Sequence, residues 1–185
     1  MPDQSRRIRG VTVLELLVTL GIAALLTGYA VPAFTRLVAS NRQVATVNQL
    51  LGAVQMARTL AIARHQEFVL CPDNGQNRCA TGTDEWTDGY LIFVNEPAGR
   101  PYQVDSDSDL VAARALPEGV TVWANRSAYV FRPLAVRSSN GTFRVCDPTG
   151  RIAPRAVVVS VTGRPRISSK LPDGTPIPCP SSNLP

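Results

Sequence analysis

The chain has 185 residues, of which 44% are apolar and 18% charged, with a formal net charge of +5. This balance allows a packed core and argues against intrinsic disorder, and the length accommodates one membrane-crossing helix plus one modest globular domain. Four cysteines without a C-x-x-C pair, and His65 as the only histidine, argue against a zinc site.

Val11 to Val31 is a run of 21 residues in which Glu15 is the only charge. As a helix it would be roughly 30 Å long, enough to cross a hydrocarbon core. Arg6, Arg7 and Arg9 precede it, and by the positive-inside rule they stay cytoplasmic while the rest of the chain is exported. A secretory signal would have a shorter apolar core followed by a small-residue cleavage site. Glu15 is therefore the anomaly, because a carboxylate at membrane depth costs a few kcal/mol unless it finds a partner.

The helical pattern continues beyond this span. Leu37, Val44, Val47, Leu51 and Val54 recur at helical spacing and predict one apolar stripe, with Asn41, Gln43, Asn48 and Gln55 on other faces. The helix is expected to end near His65, a surface residue, which makes it about 80 Å long. Its first half suits a bilayer and its second half a globular head.

From Glu67 onward the period changes to two. Strands are expected at Glu67–Cys71, Gly89–Asn95, Gly119–Ala124, Ser127–Phe131, Gly141–Cys146 and Arg155–Val161. Asn140-Gly141 is a hairpin signal and Asp147–Gly150 a turn, so Cys146 to Val161 reads as a hairpin. Trp86, Tyr90 and Phe93 are expected in or near the core. Glu96–Asp109 reads as a solvated acidic loop, since its DSDSD run does not complete a calcium-binding motif. An even cysteine count in an exported domain suggests two disulfides. Of the three possible pairings, Cys71–Cys79, closing a short loop, and Cys146–Cys179, tying down the tail, are expected.

Charge is unevenly spread. Glu67 to Glu118 holds ten acidic and three basic residues, a net of −7, whereas Gly119 to Pro185 holds nine basic and two acidic, a net of +7. A basic end points to an anionic partner. The sequence has no G-x-S-x-G motif, no P-loop, no histidine-centred pair and no metal-ligand spacing, so neither an enzyme nor a cofactor is expected.

Gly10 followed by VTVLE resembles the type IV prepilin signature, and Pro32 in AVPAF matches the helix-loosening proline of that family. Val11 departs from it, since many members have phenylalanine there. The resemblance implies that a prepilin peptidase cuts after Gly10 and methylates Val11. Glu15, one helical turn on, would then meet the new amine within a subunit or on a neighbour and recruit the subunit into a fibre. It further implies a leader at 1–10, a transmembrane or fibre-core helix at 11–32, its amphipathic continuation at 33–66 and a β-rich head at 67–185. The protein would sit as a single-pass inner-membrane protein with a periplasmic head before joining an extracellular pilus of other pilins.

The order of the head motifs is similar to that of the FimT/GspH-type minor pilins: WTDGYLIFVN, then FRP, GTFRVCD and VVVSVTGRPR. That branch implies an α+β fold in which the long N-terminal α-helix packs on antiparallel β-sheets. Gly163-Arg164-Pro165-Arg166 matches the GRxR motif of FimT-like DNA-uptake pilins, which bind extracellular DNA for natural transformation. If that segment is extended, Arg164 and Arg166 share one face, Pro165 stiffens them and Gly163 turns the chain. Guanidinium forks suit phosphate oxygens, and Lys170, Arg155, Arg151 and Arg144 would widen the patch. No aromatic residue follows Phe143, so backbone contacts without sequence preference are expected. The alternative is a structural role, either FimU-like priming of pilus assembly or a minor pseudopilin of type II secretion.

Overall fold

The computed structural model describes residues 11–76, 78–80, 82–95, 102, 104, 109–133 and 138–180. Gly10, the leader and most of the Glu96–Asp109 loop lie outside them. Helix α1 spans Val13–Arg64, 52 residues, and runs through Pro32. Thr12 caps its start: the Glu15 amide donates to the Thr12 hydroxyl at 3.2 Å. At the other end His65 takes a φ of 55°, the left-handed conformation that commonly closes a helix.

Contacts divide the chain between Val38 and Ala39. In the first unit α1 is long and apolar enough to cross a membrane, with a mean hydropathy of 1.9 and none of that window buried. Among the described residues, the second unit contains the rest of α1 and eight strands. These are β1 (Phe68–Pro72), β2 (Gly89–Val94), β3 (Leu110–Ala115), β4 (Thr121–Ala124), β5 (Tyr129–Phe131), β6 (Gly141–Cys146), β7 (Arg155–Val159) and β8 (Pro165–Ser168). They form two antiparallel four-stranded sheets, ordered β3-β2-β1-β5 and β4-β6-β7-β8.

Both sheets turn alternate residues toward α1, as the period of two requires. Phe68, Leu70 and Phe131 of the first sheet join Phe143, Val145, Val157 and Val159 of the second in one core against the helix. The opposite faces are covered too, so strands read as continuous apolar runs rather than alternations. Val69, Cys71, Leu91 and Phe93 form a second cluster, and Ala156, Val158 and Ile177 a third, beneath the carboxy-terminal tail. Trp86, Tyr90 and Phe93 are buried as expected. Trp86 stands edge-on to Tyr129 and Phe143, with ring centroids 5.7 and 4.9 Å apart. Such pairs add about 0.5–1.5 kcal/mol each beyond area burial. Both expected disulfides are formed, Cys71–Cys79 and Cys146–Cys179, with Cα–Cα distances of 5.5 and 5.9 Å.

Four expectations are corrected. The buried stripe of α1 is Gln43, Thr46, Val47, Leu50, Ala53, Val54, Ala57 and Ala61. Leu37 and Val44 are exposed. Small residues win the core side because they let the helix lie close to two sheets at once. Gln43, assigned to a polar face, is buried. Asn140-Gly141 makes no hairpin, because β5 and β6 belong to different sheets. Gly141 is required there for space: an added Cβ would lie 2.6 Å from Asn125 Oδ1 and 2.7 Å from the Tyr129 hydroxyl. The strand expected at Arg155–Val161 ends at Val159, and two strands, β3 and β8, were not anticipated. Both are edge strands with few β-branched residues, so propensity hardly marks them.

Gln43 earns its burial by donating its side-chain amide to the carbonyls of Val145 at 3.3 Å and Ala153 at 2.9 Å. It thereby ties α1 to both ends of the β6–β7 connection. Gln43→Ala removes both of these bonds and should destabilise the fold by about 1–3 kcal/mol. The check is the thermal midpoint of the full chain in detergent, where no shift would contradict this role.

Candidate nucleic-acid interface

The basic segment begins as a tight hairpin. The Ser160 amide donates to the Arg164 carbonyl at 3.0 Å, and the Gly163 amide to the Ser160 carbonyl at 2.8 Å. Val161, Thr162 and Gly163 thus form a three-residue loop between β7 and β8, whose last position demands a positive φ. Gly163 supplies it at 72°. It also leaves room, since an added Cβ would lie 3.2 Å from the Phe131 ring and 3.3 Å from Arg58 Cδ.

Arg164 is exposed and closes this loop, one residue before β8 starts at Pro165. Proline at the first position of an edge strand forfeits no ladder bond. By register Val159 faces Pro165, Val158 faces Arg166 and Val157 faces Ile167. Pro165 and Ile167 thus lie on the helix side of the sheet, and Arg166 on the outer side with Val158. Arg164 instead lines a groove with Gln55, Arg58 and Thr59 of α1 and with Pro165. The expectation that Arg164 and Arg166 share a strand face is corrected: Arg166 lies in β8, whereas Arg164 precedes the strand and lines the groove beside α1.

The other cations fall into three places. Arg155 opens β7 on the helix side and lines a second groove with Val44, Val47, Asn48 and Ile167. Arg151 follows the β6–β7 turn, its amide donating to the Asp147 carboxylate at 2.8 Å. Burial pushes the Asp147 carboxyl up, but bonds from Thr149, Arg151 and Ile152 outweigh it and hold the pKa below its usual value. Lys170 is exposed just past β8, its amide donating to the Ser168 hydroxyl at 3.2 Å. Arg144 is different. It is half-buried, donates to the Pro178 carbonyl at 3.2 Å and shares a groove with Asp84 and Asp173. It holds the tail, and those carboxylates oppose an anion there.

No acidic residue occurs between Leu16 and Gln66, or between Pro148 and Pro172. Among the described residues, Arg58, Arg151, Arg155, Arg164, Arg166 and Lys170 have no carboxylate within 4.0 Å, whereas Arg132 pairs with Glu67 at 3.0 Å. The helix and hairpin therefore present cations without internal counter-charges. Arg58 was missed from sequence. It donates Nε–H to the Thr162 carbonyl at 3.0 Å across 104 positions, and only its place in an acid-free helix hints at it.

A long helix, apolar in its first unit and covered by two antiparallel sheets in its second, defines a pilin-like protein. A family model described as type II transport protein GspH matches residues 46–163, more than half of the chain. The chain belongs to the GspH family, within the FimT/GspH branch that its motifs resemble. The match stops at Gly163, so it takes in α1 from Thr46 onward and β1 to β7 but not β8 or the cations from Arg164 on. Solved structures of two proteins are also similar. The type IV minor pilin FimU of Pseudomonas aeruginosa is 14% identical, with a TM-score of 0.49 over 66% of this chain and 90% of that one. The minor pseudopilin EpsH of the Vibrio cholerae type 2 secretion system is 12% identical, with a TM-score of 0.45 over 66% and 92%. No curated protein matches the sequence.

Gly163→Ala forces a side chain into a left-handed position against Phe131 and Arg58. It should cost about 1–3 kcal/mol, read from the thermal midpoint. A neutral result would show that the turn does not need glycine.

Proposed function

We propose that the chain is a minor pilin whose basic hairpin and tail bind extracellular DNA for natural transformation. The observation that carries this reading is the set of arginines around the β7–β8 turn, presented on a disulfide-tethered scaffold without carboxylate partners among the described residues. Arg164, Arg166 and Lys170 make phosphate contacts, Arg155 and Arg151 extend the field, and Gly163 shapes the turn. Arg144 acts by anchoring the tail. Binding is independent of sequence, because the tail offers cations and no aromatic platform.

Processing follows the prepilin pattern. A prepilin peptidase cuts after Gly10 and Val11 becomes the methylated amino terminus. Glu15 lies in the first turn of α1, where a carboxylate is favoured by the helix dipole and within reach of that amine. The subunit waits in the inner membrane as a single-pass protein with its head outside, then enters the fibre with other pilins. Glu15→Ala should leave cleavage intact but lower the amount incorporated into sheared fibres, and normal incorporation would refute the pairing.

A second reading is a purely structural role in pilus priming or type II secretion, favoured by the description of the matching family. A mobility-shift assay with the full chain in detergent separates the two. With about three phosphates neutralised, log K should fall with log salt at a slope near −3. Arg164→Gln combined with Arg166→Gln should remove binding and keep the thermal midpoint. An unchanged shift from that double variant would defeat the DNA reading and leave the structural one.

A further inference from the structure

We propose that Arg58 of α1 is a phosphate ligand, so that a DNA strand is gripped in the groove between the helix and the β7–β8 hairpin. This rests on reading Gly163–Arg166 as a DNA-backbone contact and extends it to a residue a hundred positions away in the chain.

Gln55, Arg58 and Thr59 stand at i, i+3 and i+4 on one face of α1, opposite Arg164 and Pro165. The groove thus gathers two guanidinium groups, a primary amide and a hydroxyl. The Gln55 and Thr59 side chains have no protein hydrogen-bond partner among the described residues. Among the described residues, no carboxylate lines the groove. Two fixed positive charges, with an amide and a hydroxyl able to donate beside them, favour an anion rich in acceptor oxygens. No aromatic ring among the described residues lines it, so the backbone of a nucleic acid fits better than its bases.

Arg58 is also pre-positioned. Its Nε–H is spent on the Thr162 carbonyl, which leaves its two terminal nitrogens without a protein partner among the described residues. Holding the side chain at Nε reduces the entropy lost when those nitrogens bind. Glycine at 163 permits this, because Arg58 Cδ passes 3.3 Å from where a Cβ would stand. The same bond couples the two arginines: it fixes the hairpin that carries Arg164 to the helix that carries Arg58. The second groove, with Arg155 at its margin, lies on the helix side of the same β8 flank and supplies a route for the strand to continue.

The test uses the full chain in detergent micelles and a short labelled duplex of random sequence, titrated at several salt concentrations. Arg58→Gln should weaken binding about ten-fold, alike for every duplex sequence. It should also make the dependence of log K on log salt shallower by about 0.9. Arg58→Lys keeps the charge but loses the Nε bond, and should retain the wild-type salt slope. If both substitutions weaken binding equally with no change of slope, Arg58 is only a strut for the hairpin and the proposal is overturned. If Arg58→Gln binds like wild type while the Arg164/Arg166 double variant does not bind, the groove proposal falls and the hairpin reading stands. If the wild-type chain ignores the duplex at low salt, both fall.

Discussion

One face of α1, from Gln43 to Ala61, is shared by two sheets, and the rest of the head is arranged around that sharing. Thr46, Ala53, Ala57 and Ala61 are small, so the backbone of the helix lies close to the inward side chains of both sheets. A helix lined by large residues would hold the sheets apart and leave voids, and voids forfeit dispersion contacts that no solvent replaces. Close approach puts the polar flanks of the helix beside the sheet edges. The grooves that contain Arg58 and Arg155 arise there.

The second sheet is finished on its outer side by the tail rather than by another sheet. Ile177 and Leu171 cover Ala156 and Val158, the Cys146–Cys179 bond ties the tail to β6, and Arg144 holds the Pro178 carbonyl. This gives a short, proline-rich segment a fixed course without regular structure of its own. It also leaves β8 as an edge strand carrying Pro165 and Arg166. Proline and charge on an edge discourage pairing with a further strand. The same residues therefore keep the edge open and solvated, which suits a ligand that is recognised by charge rather than by backbone pairing.

Charge follows the division into sheets. The acidic span, Glu67 to Glu118, contains three of the four strands of the first sheet, and the basic span contains all of the second.

Much of this was legible in the residues themselves. The apolar run with its lone Glu15, the change of period after His65 and the turn glycine at 163 are local signals. They depend on neighbours a few positions away, which a sequence displays directly. The cysteine pairing was legible for a related reason, since one short loop and one long tail left few sensible closures. What the tertiary structure decided was long-range. The phase of the buried stripe depended on which helix face two sheets could approach, and that is set by packing, not by hydrophobicity alone: Gln43 went in and Val44 stayed out. Gly141 owed its place to the Tyr129 ring from a strand of the other sheet. Arg58 met Thr162 only because the helix and the hairpin are neighbours in space, and no periodicity in a chain can announce a contact between residues 104 positions apart.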